Sequence, residues 1–418
     1  VASGQELLTL EEAVAQALKN NYQIQIAAND LLADEAGVSP GLAGMLPRVT
    51  ANFDDNNSIQ NSSQTRANGE VLELDNARNI NMGYGVALDW TVFDGFGMFA
   101  RYDQLKELRK LGEAELKLTI LNNLSDVMVT YYDLVQQQQQ IAALDTTMVI
   151  SQQRVQLADD RFSIGRASKL EVLNAQVDLN TDQTSMLRQR EQYAQTKIRL
   201  NQLMARDTKL DFRVVDEILV GDLMLLPELE SLALKQNPAV QAQIISRRVA
   251  ELQLKKIQAG RYPTVIATTG YNFSESEASL GFNTRSSAQG WNYGFRATMN
   301  IFDGFNQSRN ERIAKIQVDN SQIAIEQRNQ EVLAQLGTAY QTYLTNISLI
   351  DLETRNERIA KENLDITMTK FRIGTIPTIE FRTAQLNYVN ATVRLSNAKF
   401  QAKMSEIALQ ELAGNIAF

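Results

Sequence analysis

From Val49 the chain alternates, with Val49, Ala51 and Phe53 on one side; later Tyr84, Val86, Leu88, Trp90 and Val92 face one way and Gly85, Ala87, Asp89 and Thr91 the other. A period of two is the signature of a strand. The second half repeats it, with Val265, Ala267, Thr269, Tyr271 and Phe273, then Tyr293, Phe295, Ala297, Met299 and Ile301 opposite Gly294, Arg296, Thr298 and Asn300. Four strands are expected, over 48–58, 82–93, 264–274 and 292–302. The stretches between paired strands, Asn56 to Asn81 and Ser274 to Asn292, are rich in Asn, Ser, Gly and charge and read as loops in water.

Elsewhere the period is seven. Leu111, Leu118, Ser125 and Tyr132 form one series and Ala114, Leu121, Met128 and Val135 another; Val318, Ile325, Val332 and Ala339 run with Leu336, Tyr343 and Ile350. These are coiled-coil seams. They predict continuous helices from Phe99 to Phe162 and from Gln307 to Phe371, each of about 64 residues and ~96 Å at ~1.5 Å per residue. Thr9 with Glu12 has the capping-box spacing that starts a first helix, which runs toward Pro47. That helix and the one after Gly165 are about half as long, a length that lets two stack end to end beside one long helix. The run Gln136 to Gln140 reads as a hydrated helix face within the heptads.

The chain is an internal duplication. Tyr84-Gly85 through Val92-Phe93-Asp94-Gly95-Phe96 recurs 209 positions later as Tyr293-Gly294 through Ile301-Phe302-Asp303-Gly304-Phe305. The same offset maps Arg161-Phe162-Ser163-Ile164-Gly165 onto Lys370-Phe371-Arg372-Ile373-Gly374, and Glu171 onto Glu380. Asp94 to Gly165 and Asp303 to Gly374 are both 71 positions. An inserted residue would rotate everything after it by about 100°, so equal spacing argues for one unbroken helix in each half. Pro47 maps onto Pro263 at an offset of 216. The first repeat is placed at 1–209, a connecting segment at 210–227 and the second repeat at 228–418.

Composition narrows the chemistry. With 44% apolar residues, 22% charged and 6 Pro the chain is ordered and poor in helix breakers. It has no Cys and no His, which removes disulfides, thiolate zinc sites and every His-based catalytic triad. No cofactor is implied and an enzyme is disfavoured: the paired acids Asp54-Asp55 and Asp159-Asp160 have no converging partners. The net charge of −8, with no basic cluster, argues against nucleic acid. No run approaches the ~20 apolar residues of a membrane helix, a test that a β-barrel escapes because its strands alternate. The start at Val1, without a basic and apolar leader, is expected of a processed secreted chain.

Two gapless repeats, each with a helix, Pro and strand in succession, a Phe-Asp-Gly strand exit and an Arg/Lys-Phe-x-Ile-Gly turn, resemble the TolC-like outer-membrane efflux channels, over essentially the whole chain. The resemblance implies a mainly α protein with a membrane β-barrel. Long coiled-coil helices build an α-helical barrel, and four strands per subunit join a twelve-stranded barrel in a homotrimer. It implies an outer-membrane exit duct of a tripartite drug efflux or type I secretion system of a Gram-negative bacterium, most of its mass in the periplasm, with outer-membrane lipid, a periplasmic adaptor (membrane fusion) protein and an inner-membrane transporter as partners. Physics agrees on assembly, because four strands cannot close a barrel and an open sheet edge in lipid leaves backbone groups unpaired. The rival is a soluble periplasmic coiled-coil scaffold or adaptor whose strands form a small sandwich.

At the strand-to-helix junctions, Pro47, Asp94, Gly95, Pro263, Asp303 and Gly304 read as structural, Gly supplying unusual dihedrals and Asp a cap. Gly165 and Gly374 read as C-terminal glycine caps. The resemblance adds that these turns, with Arg161, Phe162, Lys370, Phe371 and Glu171, are the periplasmic tip that an adaptor grips. Ser168 with Glu171 fits a capping box, while the second half carries Pro377 at the matching position and is expected to start its helix from Thr375. Glu171 and Glu380 read either as first-turn acids favoured by the helix dipole or, from the resemblance, as acids near a pore constriction, Glu380 being the better candidate. Phe371 and Ile376 stand where polar latch partners are expected, so the tip is expected to be weakly latched. Tyr84, Trp90, Tyr271, Trp291 and Tyr293 are expected to form an interfacial aromatic belt.

Overall fold

In the computed structural model, residues 6–416 are described, apart from Asp222 and 280–282. The elements run β1 (Glu6–Leu8), α1 (Leu10–Asn20), α2 (Tyr22–Gly37), β2 (Arg48–Thr65), β3 (Val71–Phe93), α3 (Gly97–Ser163) and α4 (Lys169–Leu203). Then follow β4 (Phe212–Val214), α5 (Leu226–Gln236), α6 (Pro238–Ala259), β5 (Thr264–Ala278), β6 (Arg285–Thr298), α7 (Asn306–Arg372) and α8 (Thr378–Leu412). The duplication is kept to the residue: α3 and α7 each have 67 residues, and α4 and α8 each have 35.

One compact unit takes the residues up to 31, 112–243 and 324 onward; it holds the helical coil and a two-stranded parallel pair of β1 with β4. Its apolar core gathers Leu8, Val127, Met128, Leu134, Val135, Leu200, Phe212 and Ile407, and a second cluster joins Leu229, Leu336, Tyr343 and Leu409. The Tyr131 hydroxyl donates to Leu8 O at 3.0 Å and accepts from Val215 N at 3.2 Å, closing the β1–β4 pair onto α3.

The single helix expected before Pro47 is two. Thr9 and Glu12 form the capping box of α1, but Asn21 ends it and starts α2. Its Oδ1 accepts from Gln23 N at 2.8 Å while its Nδ2 donates to Leu203 O, at the end of α4, at 2.8 Å. Asn237 does the same between α5 and α6, accepting from Ala239 N and donating to Leu412 O at the end of α8. A buried amide that caps one helix start and one helix end satisfies a backbone N–H and a backbone carbonyl that would otherwise be orphaned. The run Gln136 to Gln140 is likewise engaged: Gln136 and Gln140 donate to Asn397, Gln137 to Thr196 and Gln138 to Val214 O, so it is a packed polar layer and not a hydrated face.

The other unit takes residues 32–111 and 244–323 and holds a four-stranded antiparallel sheet in the order β2-β3-β5-β6. Register places Tyr84 between Phe53 and Phe273, and Thr269 between Leu88 and Tyr293. Most of the stretches expected to be loops is strand: β2 and β3 pair out to Thr65 with Val71, and β5 and β6 pair to Glu277 with Arg285, 280–282 lying outside the described residues. The connecting turn of the first hairpin is short, with Arg66 N donating to Glu70 O at 2.8 Å and Gly69 at φ +86°. β6 also stops at Thr298, so 299–302 lie outside it.

At the junctions Asp94 Oδ1 accepts from Met98 N at 3.0 Å and Asp303 Oδ2 from Gln307 N at 2.7 Å. Gly95 has φ +70°, and a Cβ there would lie 2.4 Å from Ala259 O, so the turn needs glycine twice over. Pro47 and Pro263 immediately precede β2 and β5.

Candidate functional site

Both helical hairpins of the coil end in the same turn. Gly165 N donates to Phe162 O and Arg166 N to Arg161 O; Gly374 N donates to Phe371 O and Thr375 N to Lys370 O. With φ of +70° and +80° at Gly165 and Gly374, each is a helix end closed through a left-handed residue. Nothing lies within 4 Å of a Cβ built on Gly165, and only Arg161 Nη2, at 3.8 Å, approaches one on Gly374, so the backbone angle and not space demands glycine. The turns expose Ile164, Ile373 and Phe162, the last with the Lys169 ammonium 5.2 Å from its ring centre.

Phe371 is not at the surface. It is 3% exposed, stacked on Phe381 at 4.8 Å, and covered by the Arg161 guanidinium, whose Nη2 donates to Phe371 O at 2.7 Å. Arg161 therefore ties one hairpin to the other through a backbone carbonyl. A phenylalanine offers that group as well as any polar residue does.

A polar cluster lies deeper between the hairpins. Asp182 on α4 receives both ends of Arg382 on α8, at 2.8 and 3.0 Å, and the hydroxyl of Ser151 on α3. Asp178, one turn earlier, receives Arg154 Nη2 at 2.6 Å with Arg382 Nε 3.7 Å away. Gln385 on α8 donates to Ser151 Oγ and Thr147 O. Two guanidinium groups thus face two carboxylates in a space where Arg154, Asp182, Arg382 and Gln385 are all buried. Burial pulls the Arg154 pKa down from its ordinary value, partly opposed by Asp178. Its Nε and Nη1 have no hydrogen-bond partner in the structure. The weakly latched tip expected from Phe371 and Ile376 is corrected: the polar links exist, on other residues.

Glu171 follows half of the expected pattern. Ser168 Oγ accepts from Glu171 N at 3.3 Å, but the Glu171 carboxylate accepts from the Thr378 hydroxyl of the opposite hairpin instead of reaching back. α8 starts at Thr378 with Pro377 as an N-cap that makes no side-chain bond, not from Thr375, whose hydroxyl donates to Lys370 O. Glu380 is exposed in the first turn of α8 and makes no ion pair among the described residues. Phe381 and Arg382 point into the coil, which leaves Glu380, Thr383 and Asn387 on the open face.

Two apolar stripes lie open on the coil. On α7, Leu352, Ile359 and Ile366 recur at seven-residue steps, continued by Ile373 in the turn beyond it; on α4, Leu170 and Val177 run beside Leu173 and Leu187. The links between the hairpins, as in Arg161 with Phe371, Ser151 with Gln385 and Asp182 with Arg382, leave these stripes out.

The sheet sorts its residues by face. Val49, Ala51 and Phe53 share a face with Tyr84, Val86, Leu88, Trp90, Tyr271, Phe273, Trp291, Tyr293 and Phe295; the reverse face carries Asn52, Gly85, Asp89, Thr91, Thr268, Gly270, Asn272, Asn292 and Gly294. The apolar side is open, with Tyr293 86% and Phe295 81% exposed. Tyr84 stacks on Phe273 at 4.8 Å and Tyr271 meets Trp291 at 5.3 Å, while Trp90 Nε1 donates to Met45 O at the helical end. On β5 and β6 the aromatics occupy four consecutive rows of this face, from Phe273 to Phe295.

Among the described residues no group of His, Cys, Asp or Glu is placed to hold a metal, and no helix is long and apolar enough to cross a membrane. The profile of a family described as "Outer membrane efflux protein" matches residues 13–206 and 229–415. Nodulation protein T of Rhizobium leguminosarum bv. trifolii is 24% identical over 188 residues, 45% of this chain and 38% of that protein, so the match spans well under half of that relative. Among solved structures, the CmeC outer membrane channel of Campylobacter jejuni superposes with TM-score 0.81 at 18% identity over 97% of this chain and 85% of its own. The outer membrane protein VceC of Vibrio cholerae gives 0.77 at 14% identity over 97% and 96%.

Proposed function

The chain belongs to the outer membrane efflux protein family, and from that premise we propose that it is the passive, homotrimeric exit duct of a tripartite drug efflux or type I secretion system, seated in the outer membrane of a Gram-negative bacterium. The observation that carries this reading is the sheet: four strands with two unpaired edges, β2 and β6, and one face of open aromatic and aliphatic side chains. Three copies supply twelve strands and join β6 of one to β2 of the next, removing every edge from lipid. The exposed heptads of α7 and α4 extend the same join into the coil, because stripes of equal period pack against each other. A soluble sandwich would need a second layer over Tyr293 and Phe295, and no described element covers them.

The tip turns at Gly165 and Gly374, with Arg161, Phe162, Lys370 and the exposed Ile164 and Ile373, are the contact for a periplasmic adaptor, through which an inner-membrane transporter supplies energy. Glu171 and the buried Phe371 hold that surface from behind. The Arg382–Asp182 and Arg154–Asp178 pairs keep the two hairpins together, and Glu380 on the open face lines the constriction. In mild detergent the purified protein is expected to be a trimer by light scattering; a monomer with intact helical signal would end the channel reading.

A further inference from the structure

On the apolar face of the sheet, chemistry changes abruptly four residues beyond the row of Phe53, Tyr84 and Phe273, at the end away from the helices. There Ile80, Glu277 and Arg285 stand in register on adjacent strands, and Arg78 follows on the same face of β3. With Ser279 and Thr284 they line a concavity of about 410 Å³. The Ser279 hydroxyl accepts from Arg78 N and donates to Arg78 O, both at 2.9 Å, and so fixes the backbone that carries this arginine. The Arg78 guanidinium makes no hydrogen bond or ion pair among the described residues. Arg285 makes only a loose contact, 3.8 Å, to Glu275. Among the residues lining this concavity Arg78 and Arg285 stand with one carboxylate, Glu277, while Asp55 and Glu275, one row nearer the aromatics, leave it open to an anion only from the far side.

We propose that this concavity seats the phosphate of a lipid headgroup in the outer leaflet, between Arg78 and Arg285. The inference rests on the membrane reading above, which makes the aromatic face the lipid face. At ~3.3 Å per residue Arg285, four residues out, lies ~13 Å along the strand from the last aromatic row and Arg78, six residues out, ~20 Å, and a strand tilted by ~45° makes this the depth range of headgroups. Arginine presents a fork of donors that matches phosphate oxygens, and beside hydrocarbon such a bond is worth more than in water. A free anion in solution has no reason to choose this height, so a lipid is the occupant to which the geometry commits.

The test uses the detergent-solubilised assembly and native mass spectrometry, with phosphatidic acid as probe and diacylglycerol of the same chains as control. The native protein is expected to retain phosphatidic acid well above diacylglycerol. Replacing both cations, Arg78→Gln with Arg285→Gln, should lower retention roughly tenfold, the scale of losing charge-assisted bonds, and Glu277→Gln should raise it. Equal retention of the two lipids by native protein, unchanged retention in the double variant, or complete displacement by millimolar inorganic phosphate would each overturn the proposal. Planar-bilayer conductance of every sample separates the two readings: pores that conduct but do not discriminate the lipids sink this inference alone, whereas absence of pores in native protein sinks the channel.

Discussion

Arg382 donates two hydrogen bonds to Asp182 and both are buried, so removing either alone leaves the other without its main charge partner. Truncating one partner of a buried pair costs ~3–5 kcal/mol, while replacing both with apolar groups of similar size is often neutral. Arg382→Ala is therefore expected to lower the denaturation midpoint strongly and Arg382→Leu with Asp182→Leu to recover most of it. Equal losses in the single and double variants, by urea titration, would show that the pair is not a unit. Gly374 is a different kind of constraint. At φ +80° with open space around its Cβ, Gly374→Val meets only backbone strain of ~1–2 kcal/mol. The long helices should survive and the turn should distort, so trimer and barrel persist while crosslinking to the adaptor falls. Undiminished crosslinking would remove that turn from the docking surface.

Among the elements, long helices were legible because seven-residue steps combine with an equal spacing of 71 positions in both halves that tolerates no insertion, and their observed ends fall within two residues of expectation. The outer halves of the strands were not, because alternation has no amplitude when both faces are polar: Asn57, Ser58, Asn79 and Asn81 look like loop and are held as strand by the ladder. The break at Asn21 was hidden for a related reason, since a helix-capping amide differs from a surface one only by its distant partner, Leu203. The polar cluster was missed likewise. Asp178 and Asp182 are four apart on α4, and Arg382 and Gln385 three apart on α8, spacings that put each pair on one helix face but do not say what the face meets. Where amplitude is high, faces are readable, and they can be tested. Leu88→Arg on the apolar face should cost ~2–4 kcal/mol at mid-membrane depth and deplete inserted protein, while Thr91→Arg on the polar face should be tolerated. Equal membrane recovery of the two would mean that the faces are reversed or that the sheet does not insert.

At the scale of the proposed trimer, charge is expected to decide what the duct passes. In that trimer three copies of a chain of net charge −8 would carry −24, and a threefold axis would turn each inward carboxylate into a ring. Glu380 has what such a ring needs: it is exposed in the first turn of α8, it has no ion-pair partner among the described residues, and Phe381 and Arg382 beside it are anchored in the coil. The anchors fix its position without neutralising it. Like charges in a narrow passage attract cations over about a Debye length, ~10 Å at 0.1 M salt. The channel is therefore expected to prefer cations, and divalent or trivalent cations added on the tip side should reduce its conductance. Glu380→Gln should weaken both effects with little loss of stability, because the group is solvated. It should also leave resting conductance nearly unchanged, since the pairs that hold the hairpins together are Arg382–Asp182 and Arg154–Asp178 and do not include it. Reversal potentials across a salt gradient decide the matter: a value unchanged in Glu380→Gln would place that carboxylate away from the constriction and return it to the part of an acid at a helix start.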